Sequence, residues 1–255
     1  MTTHFKNITV CLFLFSMVNS CKQVDTQTLN IATAANMQFA MTEIVQSFTK
    51  HTGIKCNIIT GSSGKLTAQI KEGAPYDVFV SANTKYPEDL YKDGFTTSKP
   101  KIYGYGGLVL WSTTSEKPSF SILMNDAIEH IAIANPKTAP YGEAAVSVLK
   151  KMGVYEKIEH KLVYGESISQ TNQFILSRAA DIGFTAKSVV LSPKIKGEGD
   201  WISIDDNYTP IAQGIVLLKN SEKKQQSEQF YTFIFSDQAK NILKKFGYLV
   251  ALHEK

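Results

Sequence analysis

The sequence predicts an α/β fold of two lobes, each a mixed sheet flanked by helices, with a cleft between them, and three observations carry that prediction. Short β-rich apolar runs alternate with amphipathic helical stretches from residue 28 onward. There are more such units than one compact sheet needs. Two stretches, Gly104-Tyr105-Gly106-Gly107 and 207–211, read as strands crossing between lobes. The expected division is therefore a discontinuous first lobe of 27–106 and 210–255 around a second lobe of 107–209. A single doubly wound domain is the competing reading.

The elements follow in order. Residues 28–35 (TLNIATAA) suit a buried strand, and 37–51 a helix with Met41, Ile44, Val45 and Phe48 on one face. Gly53 stands where a left-handed residue would end that helix. A second strand at 55–60 leads into Gly61-Ser62-Ser63-Gly64 and a short helix ending at Gly73. Residues 76–82 are strand-like and 87–92 form a small helix. Strands at 108–112 and 130–134 precede a helix over 141–152 with Ala144, Ala145, Val148, Leu149 and Met152 inward. A strand at 162–164, a helix over 169–179 and a strand at 182–186 complete the second set. The strand at 211–219 (IAQGIVLLK) and one or two helices over 223–246 close the chain.

Composition narrows the function. The net charge of +4 arises from 27 basic and 23 acidic residues dispersed along 255, with no block of five like charges, so nucleic acid is not the expected partner. Arg178 is the single arginine, which argues against a site built on guanidinium forks gripping phosphate esters.

The first twenty residues read as an export signal. Lys6 supplies a positive start, and the apolar run 8–18 is too short for a bilayer core, which needs roughly 20 residues. Val18-Asn19-Ser20-Cys21 resembles a bacterial lipoprotein cleavage site, although Asn19 departs from the usual small residue. It implies a lipid on Cys21, with ordinary cleavage to a free protein as the alternative. Once Cys11 leaves with the signal, Cys56 is the remaining cysteine besides Cys21, so no disulfide framework is expected.

Three strand-to-helix turns carry the chemistry. A helix N-terminus leaves backbone N–H groups unpaired and bears partial positive charge, so it attracts anions without a charged side chain. In Ala34-Ala35-Asn36-Met37, Asn36 can cap the helix or donate its side-chain amide. In Gly61-Ser62-Ser63-Gly64-Lys65, two glycines let the backbone wrap closely and two hydroxyls add donors. The spacing is wrong for a P-loop, which has four residues between its glycines. In Pro136-Lys137-Thr138-Ala139-Pro140-Tyr141-Gly142, two prolines stiffen the loop and Tyr141 offers a phenol, or else packs at a lobe edge. Glu166-Ser167-Ile168-Ser169-Gln170 opens a further helix, where Ile168 contributes only its backbone N–H.

Read in order, the stretches GSSGKLTAQIKEGAPYDVFVSA (61–82), IAIANPKTAPYGEAA (131–145), GESISQTNQFILSRAADIGFTA (165–186) and AKNILKKFGY (239–248) resemble the molybdate-binding proteins of ABC transporters, of the type II periplasmic binding protein fold. The resemblance spans essentially the whole mature chain. It implies that Asn36, Ser63, Tyr141 and the backbone of Ile168 hold molybdate or tungstate through its oxygens, with Ala35 and Ser62 beside them. Many relatives carry Ser or Thr where this chain has Ala35 or Asn36. Some place a tyrosine in the strand ending near Ala186, where Thr185-Ala186-Lys187 has none, which leaves Tyr141 as the phenolic donor.

The implied partners are the small oxyanion and a membrane permease, with contact to the membrane only through the lipid and the chain a monomer in the periplasm or at the envelope surface. No cofactor is expected. A sulfate, phosphate or small organic acid ligand is the alternative. Glu143 and Glu166 are expected to point away from the ligand. His51, His130 and His160 fall at element ends, and no HExxH, CxxC or GxSxG run supports an enzyme. Asp77 and Asp181 are expected to bond backbone at strand starts rather than to pair as catalytic carboxylates.

Overall fold

The computed structural model describes residues 28–114, 117–204, 208 and 211–250. The leader at 1–20, Cys21 and most of the 207–211 crossing lie outside these residues.

The first sheet begins with β1 (Leu29–Ala34), whose apolar run is buried along its length apart from Asn30. A single 3₁₀ turn, Ala35–Met37, leads into α1 (Gln38–Thr52), which presents Ala40, Met41, Ile44, Val45 and Phe48 to the sheet. Each large apolar side chain buried this way stabilises the fold by roughly 1.5–3 kcal/mol. Gly53 ends α1 with φ of 75°, a conformation that asks for glycine, and donates its N–H to Thr49 O at 2.8 Å. Then come β2 (Cys56–Gly61), α2 (Ser63–Lys71), β3 (Val78–Val80), α3 (Lys85–Lys92) and β4 (Lys101–Gly106).

The chain passes at Gly107 into β5 (Leu108–Ser112), the first strand of the second sheet. β6 (Ile131–Ala134), α4 (Pro140–Lys151), α5 (Tyr155–Ile158), β7 (Leu162–Gly165), α6 (Ile168–Leu176), β8 (Ile182–Ala186), α7 (Lys187–Val190) and β9 (Asp200–Ser203) follow. β10 (Ile211–Leu217) rejoins the first sheet, and α8 (Lys224–Ile234) and α9 (Asp237–Lys245) pack on it. The expected 223–246 helical stretch is thus two helices. They divide before Ser236, whose hydroxyl accepts the Ala239 N–H at 3.2 Å and starts α9.

The two sheets share one plan. Their strand orders are β2-β1-β3-β10-β4 and β7-β6-β8-β5-β9. In each, the second strand of that order pairs in parallel with both its neighbours, and the remaining pairings are antiparallel. The correspondence reaches single hydrogen bonds. Asp77, entering β3, accepts the Asn30 N–H at 2.7 Å, while Asp181, entering β8, accepts the His130 N–H at 2.9 Å. Both aspartates bond backbone at strand starts, and Asp77 also takes Ser221 Oγ at 2.7 Å and Lys223 Nζ at 3.2 Å.

The short elements α5, α7 and β9 have no counterpart in the sequence reading. Each spans four residues, too few to display a hydrophobic period. β9 exists because β5 offers it an edge, with Trp201 opposite Trp111. Among the described residues no helix is long and apolar enough to cross a membrane.

Candidate functional site

Parallel strands followed by helices bring four helix starts to one place, because the carboxyl ends of β1 and β2 face those of β6 and β7 across the gap between the sheets. A small, partly open pocket lies there. Ala34, Ala35, Asn36, Gly61, Ser62, Ser63 and Ala82 line it from the first sheet. Ala139, Pro140, Tyr141 and Ile168 line it from the second. All six residues singled out from the sequence, Ala35, Asn36, Ser62, Ser63, Tyr141 and Ile168, meet at this pocket.

The two serines have unspent hydrogen-bonding capacity. Ser62 is the N-cap of α2, yet its hydroxyl makes no capping bond. It is 4% exposed, and Ser62 Oγ has no hydrogen-bond partner among the described residues. A buried orphan of this kind costs about 1–3 kcal/mol unless something else satisfies it. Ser63 Oγ accepts the N–H of Ala82 at 3.0 Å, so its own hydrogen remains to donate. Of the first-turn N–H groups, that of Gly64 goes to Thr138 O and those of Gly142 and Glu143 to Ala139 O, while the earliest ones of α2 and α6 have no acceptor inside their helices.

Asn36 corrects the sequence reading. It is neither N-cap nor free amide: Ala34 precedes the 3₁₀ turn, Met37 precedes α1, and neither start carries a side-chain cap. Both hydrogens of Asn36 Nδ2 are committed, one to Gln213 Oε1 and one to Tyr248 Oη, each at 2.9 Å. The Asn36 amide therefore has no hydrogen left to donate into the pocket. The reason is tertiary, since Gln213 and Tyr248 arrive from the far end of the chain.

Tyr141 is 2% exposed, and its hydroxyl accepts from Gln213 Nε2 at 3.4 Å while packing on the α-carbon of Gly106. A side chain at position 106 would overlap both the Tyr141 hydroxyl and the Gln213 amide. Burial is the largest cause holding the Tyr141 phenol well above its ordinary pKa, followed by the neighbouring phenols of Tyr248, Tyr208 and Tyr103. It stays protonated, and so a donor, throughout the neutral range.

Among the described residues no carboxylate lines the pocket. Glu143 and Glu166 are exposed, and Glu166 is ion-paired with Lys65. That pair bridges α2 and the loop before α6, on opposite sides of the gap. Other bonds span it too: Gly64 N to Thr138 O at 2.9 Å, Tyr86 Oη to Lys137 O at 3.2 Å, Ser169 Oγ to Gln38 Oε1 at 3.0 Å and Ser188 Oγ to Asn36 O at 2.7 Å. A small, donor-rich, carboxylate-free pocket closed by such contacts can strip and replace the hydration of one small anion.

A larger hollow lies at the amino ends of β1 and β3, beside Asn30, Asp77 and Lys223. There Asp77 accepts from the Asn30 N–H, Ser221 Oγ and Lys223 Nζ. His51, His130 and His160 are exposed.

Sequence reasoning missed the polar cluster behind the pocket, which comprises Gln213, Tyr103, Tyr248 and Ser188. One signal was available, a glutamine inside the otherwise apolar run of β10, because a buried amide demands partners.

Comparison with known proteins agrees with this architecture. Residues 29–249 match the family model described as bacterial extracellular solute-binding protein. The molybdate-binding protein ModA of Azotobacter vinelandii is 38% identical over 227 residues, covering 86% of this chain and 89% of that protein. The solved structure of the periplasmic molybdate-binding protein of the same organism superposes with a TM-score of 0.82 at 35% identity, over 88% of this chain and all of that one. A putative ABC transporter substrate-binding lipoprotein of Bacillus subtilis, YvgL, is 29% identical over 96% of this chain and 94% of its own length. The chain therefore belongs to the family of bacterial extracellular solute-binding proteins.

Proposed function

We propose that this chain captures molybdate or tungstate outside the cytoplasm and delivers it to an ABC-type membrane permease, without catalysing a reaction. The observation that carries the reading is the buried, unpartnered Ser62 hydroxyl beside the free Ser63 hydrogen, in a pocket bordered by four helix starts and no carboxylate. The similarity to molybdate-binding relatives supports the identity of the ion.

Molybdate and tungstate carry no proton at neutral pH, so every oxygen accepts and the best site contains only donors. Ser62, Ser63, Tyr141 and the backbone N–H groups of the Ala35-Asn36 turn and Ile168 form such a set. Hydrogen phosphate keeps a proton and is best served by a site with an acceptor. With Glu143 and Glu166 turned to solvent, no carboxylate among the described residues supplies one. Helix dipoles balance the double negative charge without a buried counter-charge.

Binding couples to closure. The contacts from Gly64 to Thr138, Lys65 to Glu166 and Gln38 to Ser169 form only when the lobes approach. The anion supplies the differential free energy that favours the approached state, and the permease reads the resulting shape. The lipoprotein-like cleavage site supports a tether through lipidated Cys21, and the protein is read as a monomer. Mass spectrometry of the mature envelope protein tests that tether.

The deciding experiment is calorimetry with molybdate, tungstate, sulfate and phosphate. Molybdate or tungstate should bind and stabilise the fold by about 2.7 kcal/mol at a hundredfold excess over Kd. Sulfate or phosphate binding more tightly would overturn the ion assignment.

A further inference from the structure

We propose that Gln213, which does not touch the pocket, sets the polarity of its donors: it occupies the oxygen of the Tyr141 hydroxyl and so turns the phenolic hydrogen toward the ligand. This rests on the oxyanion reading above and identifies a specificity-determining residue for it.

Gln213 lies in β10, fully buried, at an irregularity where the pairing with β4 shifts between Gln213 and Gly214. All of its amide bonds are internal. Nε2 donates to Tyr141 Oη at 3.4 Å and to the backbone carbonyl of Ile211 at 3.3 Å. Oε1 accepts from Asn36 Nδ2 at 2.9 Å and from Tyr103 Oη at 3.1 Å.

The direction of this cluster follows from one atom. A backbone carbonyl only accepts, so Ile211 O requires the NH₂ end of Gln213 on its side. That end also meets Tyr141, so the phenol oxygen receives an N–H. The opposite end is then an oxygen, which orients the Asn36 amide with its NH₂ toward Gln213. The second Asn36 hydrogen goes to Tyr248 Oη, whose own single hydrogen has Asn36 O and Ser188 Oγ within reach, each at 3.1 Å. A reversed Gln213 would set two carbonyl oxygens against each other, and its NH₂ against that of Asn36.

The consequence reaches the ligand. A phenol is both donor and acceptor and by itself does not discriminate between a bare and a protonated oxyanion. With its oxygen occupied by Gln213, Tyr141 presents hydrogen. An anion whose oxygens all accept gains a bond, while one bringing its own hydrogen meets an opposing donor, which is rejection built into the site. Gly106 makes the arrangement possible by leaving room for both groups.

The test is a double-mutant cycle with Gln213→Met and Tyr141→Phe, reading tungstate and phosphate Kd by calorimetry alongside the ligand-free Tm. Gln213→Met alone is expected to weaken tungstate binding about tenfold and to narrow the tungstate-to-phosphate ratio by a similar factor. In the Tyr141→Phe background the same change should weaken tungstate binding by less than about threefold, because the hydroxyl through which Gln213 acts is gone. Losses that simply multiply, or an unchanged ion ratio, overturn the proposal while tungstate binding by the wild type keeps the function standing. A wild type that binds no tetrahedral oxyanion overturns both. Should Gln213→Met not fold, Gln213→Glu serves in the same cycle. Its carboxylate accepts the Tyr141 hydrogen, so tungstate binding should again fall, and should recover as pH drops and the new group regains a proton. The titratable neighbours facing it are the phenols of Tyr103 and Tyr141.

Discussion

Gly64 donates its N–H to the carbonyl of Thr138 at 2.9 Å, joining the two lobes through backbone at the edge of the pocket. A Cβ at this position would lie 2.8 Å from Tyr86 Oη and 3.0 Å from both Thr138 Cα and Thr138 O. The tyrosine tip can swing away, but the Thr138 backbone cannot without parting the lobes.

Gly64→Ala should therefore impair closure and leave each lobe intact. Tungstate affinity is expected to fall roughly tenfold or more, equivalent to about 1.4 kcal/mol, with ligand-free Tm within a few degrees of wild type. Calorimetry combined with small-angle scattering checks this, since the variant should lose the ligand-induced decrease in radius of gyration. Full affinity with normal compaction would show that the contact is incidental to closure.

The adjacent serines should respond with opposite signs in the absence of ligand. Ser62→Ala removes a buried hydroxyl that has no partner, so ligand-free stability should hold or rise slightly. Ser63→Ala leaves the Ala82 N–H without its acceptor and should cost about 1–3 kcal/mol. Both should weaken oxyanion binding, roughly ten- to hundredfold, as expected for losing a hydrogen bond to a charged partner worth about 1.5–3 kcal/mol. Urea denaturation gives the stabilities and calorimetry the affinities. A Ser62→Ala protein as destabilised as Ser63→Ala would mean that the Ser62 hydroxyl is already satisfied without ligand.

Alkaline pH should be the destabilising side. Tyr103, Tyr141 and Tyr248 have pKa values raised chiefly by burial, so the folded protein holds these phenols protonated after the unfolded chain begins to release its protons. With the unfolded state binding fewer protons, stability is complete below about pH 10 and is lost as pH rises beyond it toward the folded values. Oxyanion affinity should be flat between about pH 7 and 9, because Tyr141 remains a donor there. Tm against pH and calorimetry at three pH values test both statements. A stability maximum above pH 10 would contradict the assignment of these phenols. Cys56, with its thiol pushed up to about 12 by burial and then by Asp77, should resist alkylation in the folded protein at neutral pH.

Much of this molecule was legible along the chain. The hydrophobic period placed α1 and its Met41, Ile44, Val45, Phe48 face, because burial on one side of a helix imposes that spacing locally. Glycine and hydroxyl residues marked the turns opening α2, α4 and α6, since helix ends need such residues whatever the rest of the fold does. The six pocket residues were named by the resemblance to molybdate-binding proteins, and they sit at those turns and at the 3₁₀ turn before α1. Asn36 shows the limit. Its identity suggested an amide free to cap or to donate, and its hydrogens instead belong to Gln213 and Tyr248, both more than 170 positions away. Direction in a hydrogen-bond cluster is set by which partners meet in space, and the Ile211 carbonyl that orients Gln213 has no local signature. Local chemistry thus determined where donors could exist in this protein. Only the meeting of two sheets decided which of them line the pocket, because satisfying buried polar groups is a property of the packed whole.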